Sequence, residues 1–277
     1  MTDTTKKPIL ILGGTGKTGR RLAELLTAKD IPVRIGSRSG TPPFDWQDKG
    51  TWATALQGVG AVYISYYPDI AVPGAAETVE ALAQLAVERG IKRLVLLSGR
   101  GEPEAQRAEE MVKASGADWT ILRCAWFAQN FSEGFLVENV IQGELALPVG
   151  NVGEPFIDVD DIADVAETVL TEPGHVGQTY ELTGSRLLSF ADAVAEIAKA
   201  TGRDIRYRQI SHAEFTKAMA AHDLPPEFTW LLNELFTEVL DGRNETLTDG
   251  VQRALGRQPK DFSAYATETA ATRIWSN

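Results

Sequence analysis

Gly13, Gly16 and Gly19 stand three residues apart immediately after the apolar run Ile9–Leu12. The stretch that follows, Lys17 to Ala28, carries Leu22, Leu25 and Leu26 on one helical face. Glycines so placed allow a tight turn, let the main chain approach a pyrophosphate and let the helix pack closely on the strand. The helix start adds unpaired N–H groups and a partial positive charge that suit phosphate. Gly16-Lys17-Thr18 imitates the end of an NTPase phosphate loop, but Ile11 occupies the position of that loop's first glycine. Spacing therefore excludes a triphosphate loop. A glycine turn used only for packing is the bland alternative, and the strand–turn–helix context favours nucleotide binding over it.

The next question is which dinucleotide. An acid about 20 residues on, at the end of the second strand, normally meets a ribose that lacks the 2′-phosphate. Here Arg38 stands nineteen positions after Gly19, between Ser37 and Ser39, and no acid lies between Ile31 and Gly40. A guanidinium flanked by hydroxyls suits a phosphate, because it donates charge-assisted hydrogen bonds in pairs. Lys17 adds a second cation. The expectation is NADP(H), against the alternative that Arg38 is an ordinary solvated arginine.

Other constellations point to no chemistry. Cys124 is the single cysteine, which excludes an internal disulfide and a multi-cysteine metal site. His175, His212 and His222 lie outside any metal-ligand spacing, and no metal is expected. Asp158, Asp160 and Asp161 read better as the start of a helix than as a metal site.

The elements that must position these residues follow from the periodicity. Short apolar runs at Pro8–Leu12, Ile31–Gly36, Ala61–Ser65, Arg93–Ser98 and Trp119–Arg123 alternate with helical patterns at Lys17–Ala28, Thr51–Leu56, Ala75–Arg89 and Glu104–Ser115. That alternation predicts an α/β fold, a Rossmann-like doubly wound parallel sheet covered on both faces. Asp160-Asp161 opens a further helix over Ile162–Leu170. After Gly184 the pattern turns mostly helical, at Phe190–Ala200, His212–His222 and Phe228–Leu240, with one strand near Ile205–Ile210. The expected organisation is a cofactor-binding domain over residues 1–184 and a smaller, mostly helical C-terminal lobe over 185–277 that carries the substrate pocket.

Composition sets the outer limits. The 277 residues hold 38 Asp and Glu against 27 Lys and Arg, a net charge of −11. This acidity argues against nucleic acid, and the cofactor's charge must be met locally. The N-terminus shows no secretory signal, and no apolar run approaches the ~20 residues of a membrane span. A soluble cytoplasmic protein with a small-molecule substrate is expected.

Together these residues resemble the NmrA-like branch of the atypical short-chain dehydrogenase/reductases, and within it bacterial relatives of the ergot-alkaloid festuclavine/agroclavine dehydrogenases. The matching segments are Leu12–Gly19, Arg34–Ser39, Phe44–Trp46, Ala61–Pro68, Leu94–Arg100, Ala117–Arg123, Trp126–Phe131 and Phe156–Ala163, with Leu235–Asn244 and Thr248–Phe262 near the C-terminus. The resemblance implies that Gly13, Thr15, Gly16, Lys17 and Thr18 hold phosphates and that Ser37, Arg38 and Ser39 hold the adenosine phosphate. It implies further that Asp45 and Trp46 lie near adenine, Ser65 and Tyr66 near the nicotinamide ribose, and Ser98 and Gly99 at the strand end facing the reacting ring.

Most short-chain reductases donate a proton through a Tyr whose pKa is lowered by a Lys four residues later. None of the six tyrosines, Tyr63, Tyr66, Tyr67, Tyr180, Tyr207 and Tyr265, has that lysine. The corresponding helix offers Ala105 and Gln106-Arg107 instead. No residue is therefore assigned as catalytic. A ketone needs a proton or an electrophilic partner for its alkoxide, whereas hydride addition to an iminium discharges a positive charge and needs no acid. A quinone or enone is intermediate. Such reactions ask for positioning and a dry pocket. Tyr66, Tyr67, Trp126, Phe127, Phe131 and Phe135 are candidates to line it, with Asn130 in the same motif, although each aromatic equally suits a core. The expected activity is NADP(H)-dependent reduction of a small imine/iminium, quinone or enone. The alternative is a non-catalytic NADP(H) redox sensor that acts through a protein partner.

Overall fold

The computed structural model describes residues 7–220 and 226–276, so His222 lies outside the described residues. Two compact units interleave along the chain. The first takes the chain up to Arg123, then Ile162–Glu181 and Arg253–Gly256. The second takes Cys124–Asp161, Leu182–Gln252 and Arg257–Asn277. The chain thus crosses between units several times and does not change over once near residue 184. The reason is the aromatic content of 126–156: Trp126, Phe131 and Phe156 join the core built by Phe190, Phe236 and Phe262.

In chain order, the first unit opens with β1 (Ile9–Leu12), α1 (Lys17–Ala28), β2 (Val33–Gly36), α2 (Trp52–Ala55) and β3 (Ala61–Ile64). There follow α3 (Ala75–Glu88), β4 (Arg93–Gly99), α4 (Pro103–Ala114) and β5 (Asp118–Cys124). Next come α5 (Asn130–Glu133), α6 (Val137–Gln142), β6 (Glu144–Leu147), α7 (Val159–Thr171) and β7 (Gln178–Leu182). The remainder is α8 (Phe190–Thr201), β8 (Arg206–Gln209), α9 (His212–Ala220), α10 (Pro226–Glu234), α11 (Gly250–Leu255) and α12 (Phe262–Ala271).

Six strands form a sheet in the order β2-β1-β3-β4-β5-β7. Ile9 stands opposite Val33 on one side and Ala61 on the other, and Ala61 stands opposite Arg93, all in parallel register. Every residue of β1 and β3 is buried, which is why both read as continuous apolar runs. The order reverses between β2-β1 and β3, and in open α/β sheets ligands bind at such a switch point, beyond the strands' carboxyl ends. β7 escaped the periodicity because it is an edge strand: Tyr180 and Leu182 are buried while Gln178, Thr179 and Glu181 are half-exposed. β6 and β8 pair in parallel in a separate two-stranded sheet. Among the described residues no helix is long and apolar enough to cross a membrane.

Each unit has its own core. Leu10, Leu12, Val62, Ile64, Leu94 and Leu96 meet Val79, Leu82 and Val112 in the first. Rings dominate the second, where Phe131, Phe156, Phe190 and Phe262 lie with centroids 5.1–5.9 Å apart.

Candidate functional site

The glycine turn lies at the switch point, directly after β1. Gly13 has φ +68°, a left-handed conformation, and its carbonyl accepts the Gly16 N–H at 2.9 Å. The turn folds tightly onto α1: a Cβ on Gly19 would lie 2.4 Å from the Gly13 oxygen and 2.8 Å from the Gly14 Cα. A side chain at Gly13 would be strained by the positive φ there and would stand 3.1 Å from Ser65, which follows β3. The first turn of α1 holds no acid, and no side chain caps its N-terminus. Thr15 and Gly16 are exposed, Lys17 is half-buried and Thr18 is buried. Backbone N–H groups, space in place of Cβ atoms and a first helical turn without an acid are what a pyrophosphate requires, so the turn fits a dinucleotide. Sequence reasoning missed one neighbour. Burial pushes the Asp69 carboxyl up, while the Ala71 N–H at 2.8 Å and the charge of Lys17 pull the other way.

At the end of β2, Gly40 and Phe44 donate their N–H groups to the Ser37 carbonyl and fold 37–40 into a turn. Arg38 occupies its corner, exposed and, among the described residues, without a hydrogen bond or ion pair. The hydroxyls of half-buried Ser37 and exposed Ser39 lie 3.4 Å apart. Asp45 turns its carboxylate to the Gln47 N–H at 3.0 Å, and its carbonyl accepts the Trp52 indole N–H at 2.8 Å. Trp46 is buried against Phe44, Trp52 and Tyr66, the last at 4.8 Å between centroids. Tyr66 is therefore half-buried, whereas Tyr67 is 70% exposed.

At the end of β4 the side chains form a network with no counterpart in the sequence reading. Ser98 is buried, and its hydroxyl donates to Glu109 Oε1 at 2.6 Å. Glu109 is fully buried on α4 and accepts from Arg123 through Nε at 2.9 Å and Nη2 at 2.5 Å. Arg123 in turn donates to Glu181 at 2.7 Å, and Arg100 approaches the same carboxylate at 3.5 Å. Glu109, then burial acting against it, then Glu181 set the arginine's pKa, and the result is well above its ordinary value. Beside Gly99, the Glu102 carboxylate fills the space a Cβ would take.

The candidates in the second unit sort by depth. Phe131 is fully buried among Phe156, Phe190 and Phe262, and Trp126 is buried between Phe190 and Phe236. Phe127, Asn130 and Phe135 are half-buried, with Phe135 edge-on to Phe228 and Phe236.

A family profile described as NAD(P)H-binding matches residues 43–173. Prestalk A differentiation protein A of Dictyostelium discoideum is 32% identical over 286 residues, covering 96% of this chain and 93% of its own. Festuclavine synthase I of Penicillium roqueforti is 31% identical over 283 residues, covering 93% of this chain and 96% of its own. The chain belongs to the family of NAD(P)H-binding oxidoreductases that includes festuclavine synthase I. The fold agrees with that of an NADPH-dependent quinone oxidoreductase from Escherichia coli solved with NADPH, at TM-score 0.77 and 22% identity, covering 94% of this chain and 99% of that one.

On α4, Ala105 and Arg107 hold structural places. Ala105 is buried, and Arg107 is tied to Glu104 at 2.7 Å and to Glu77. The acidic run at the start of α7 acts as a cap. Asp158 accepts the Asp160 N–H at 2.7 Å, and Gln129 accepts the Val159 N–H at 2.8 Å. Lys260 pairs with Asp158, Asp160 and Glu268 at 3.0–3.2 Å. No cluster of His, Cys, Asp and Glu fit for a metal occurs among the described residues.

Proposed function

We propose that this chain uses NADP(H) to reduce a small, already activated electrophile, an imine or iminium, a quinone or an enone, without a Tyr/Lys dyad. The observation that carries this reading is the state of the groups near the end of β4. The Ser98 proton is engaged by Glu109, buried Ala105 replaces the lysine, and Arg107 is held in surface ion pairs. Bound NADPH supplies the hydride. The residues supply position: the glycine turn and the start of α1 hold phosphates, and Ser65, Tyr66, Ser98 and Gly99 border the nicotinamide end. The substrate side chains are Tyr67, Trp126, Phe127, Asn130, Phe131 and Phe135, with the half-buried and exposed ones making the direct contacts.

The preference for the 2′-phosphate rests on Arg38, Ser37 and Ser39, with Asp45 and Trp46 on the adenine side. Arg38→Asp weakens NADPH binding about ten- to a hundredfold, the worth of a lost charge-assisted hydrogen bond, and NADH binding far less. Equal losses for both cofactors would defeat the assignment. The activity is tested by following NADPH oxidation by the purified protein against iminium, quinone and enone acceptors. Binding of NADPH with no oxidation by any of them would replace the reductase reading with a redox sensor that acts through a protein partner.

A further inference from the structure

We propose that Glu109 is a positioning residue that fixes the polarity of Ser98, so that this hydroxyl serves a ligand at the end of β4 only as a hydrogen-bond acceptor. The inference rests on the reading of β4's end as the nicotinamide side of the site.

A serine hydroxyl has one proton and two lone pairs. Its proton here points to Glu109 Oε1 at 2.6 Å, a short charge-assisted contact. Glu109 has no solvent exposure, and the half-buried Arg123 holds both its oxygens, so the carboxylate cannot swing away without losing its neutralising guanidinium contacts while still buried. Glu181 braces the far side of Arg123 at 2.7 Å, and Lys113 stands 3.9 Å from Glu109 Oε2. The network is therefore anchored from β5, β7 and α4, and Ser98 is its one uncharged member. What remains for a ligand is the pair of lone pairs on Ser98 Oγ. They fit an N–H donor, either the carboxamide of the nicotinamide or a nitrogen of the electrophile, and they do not fit a carbonyl or alkoxide that needs a proton. This polarity accounts for a site suited to electrophiles that need no acid.

The test compares binding of NADPH with binding of its 3-acetylpyridine analogue, whose acetyl group lacks the carboxamide N–H, by calorimetric titration. The wild type binds NADPH about three- to tenfold more tightly than the analogue, the worth of one neutral hydrogen bond. Ser98→Ala removes that discrimination by weakening NADPH alone. Glu109→Gln frees the hydroxyl to turn and donate, so it also removes the discrimination or reverses it in favour of the acetyl oxygen. Should Glu109→Gln fail to fold, Ser98→Ala, which deletes a single hydroxyl, still decides the matter. A second arm compares KM for iminium acceptors with and without an N–H. A Ser98→Ala change confined to that arm assigns the donor to the electrophile. Unaltered discrimination in both arms, or a loss of kcat confined to quinones in Ser98→Ala, overturns the proposal, the latter by making Ser98 a proton donor. Failure of the wild type to bind NADPH at all would instead strike the underlying functional reading.

Discussion

The two units place their candidate residues in opposite ways. In the first, they occupy strand ends and turns, where Thr15, Gly16, Arg38, Ser39 and Tyr67 are exposed and the contacts expected of them are largely backbone N–H groups and charge. In the second, Trp126 and Phe131 are embedded in a core of phenylalanines, and only their neighbours Phe127, Asn130 and Phe135 reach partial exposure. A site made of backbone conformation is separable from the core beneath it. A site made of aromatic walls is not, because the same rings contribute both lining and stability.

The strongest way to break that contrast is at Gly19. A β-carbon there would overlap the backbone of Gly13 and Gly14, neither of which can yield as a flexible side chain would. Gly19→Val should abolish measurable NADPH binding, a loss of more than about a hundredfold, with overpacking that costs about 1–3 kcal/mol of stability. Fluorescence titration and thermal melting report the two effects separately. Retained binding would show that the turn does not cradle the pyrophosphate.

Phe131 tests the other half. Truncation to Ala removes a ring packed on Phe156, Phe190 and Phe262 and should cost about 3–5 kcal/mol in urea denaturation. A loss under about 1 kcal/mol, with KM altered, would mean that the ring faces ligand more than core.

How much of this was legible in the sequence follows the same division. The glycine turn was readable because its spacing encodes a backbone path, and the parallel strands because burial on both faces leaves an unbroken apolar run. The place of Arg38 in the turn after β2 was readable by distance from Gly19, since a βαβ unit has a nearly constant length. The Ser98–Glu109–Arg123 network was not. Glu109 sits on α4 among Glu104, Glu110 and Lys113, and nothing in residue type separates a fully buried glutamate from its more exposed neighbours until the fold brings Arg123 against it. Trp126 and Phe131 were ambiguous for another reason: an aromatic pair near a strand end has the same sequence appearance in a pocket as in a core. The interleaving of the units was hidden because composition changes near 184, whereas the change of core occurs at Cys124.

The ion pairs extend the comparison to pH. Glu109 is wholly buried in the first unit, while Asp261 in the second is 37% exposed and caps α12 by accepting the Ser263 N–H at 2.9 Å. Arg186, bonded at 2.8 Å, holds the Asp261 carboxyl well below the usual carboxylate range. A depressed folded-state pKa stabilises the fold above the unfolded value, near 4, and that contribution is lost as pH falls further. Asp261→Asn keeps a capping oxygen but removes the charge that Arg186 holds, so it should cost about 0.5–1 kcal/mol at neutral pH, the worth of a partly exposed ion pair, and the difference from wild type should shrink in melts taken progressively below about pH 4. A difference that stays constant down to pH 2.5 would assign the effect to packing.

The smallest expected change in stability is at Tyr67, and it sharpens the contrast most cleanly. The residue follows β3 at the switch point with 70% of its surface exposed, so its ring contributes little to the first unit's core. Tyr67→Ala should leave stability within about 0.5 kcal/mol of wild type, as for other surface substitutions. If Tyr67 meets the electrophile, the same substitution raises KM for the acceptor and leaves the Kd for NADPH unchanged, a split that no core residue of the second unit can produce. A fall in stability comparable to that of Phe131→Ala would mean that the first unit, like the second, places a candidate substrate residue in its structural core, and the division between the two units would then hold only for the candidate cofactor residues.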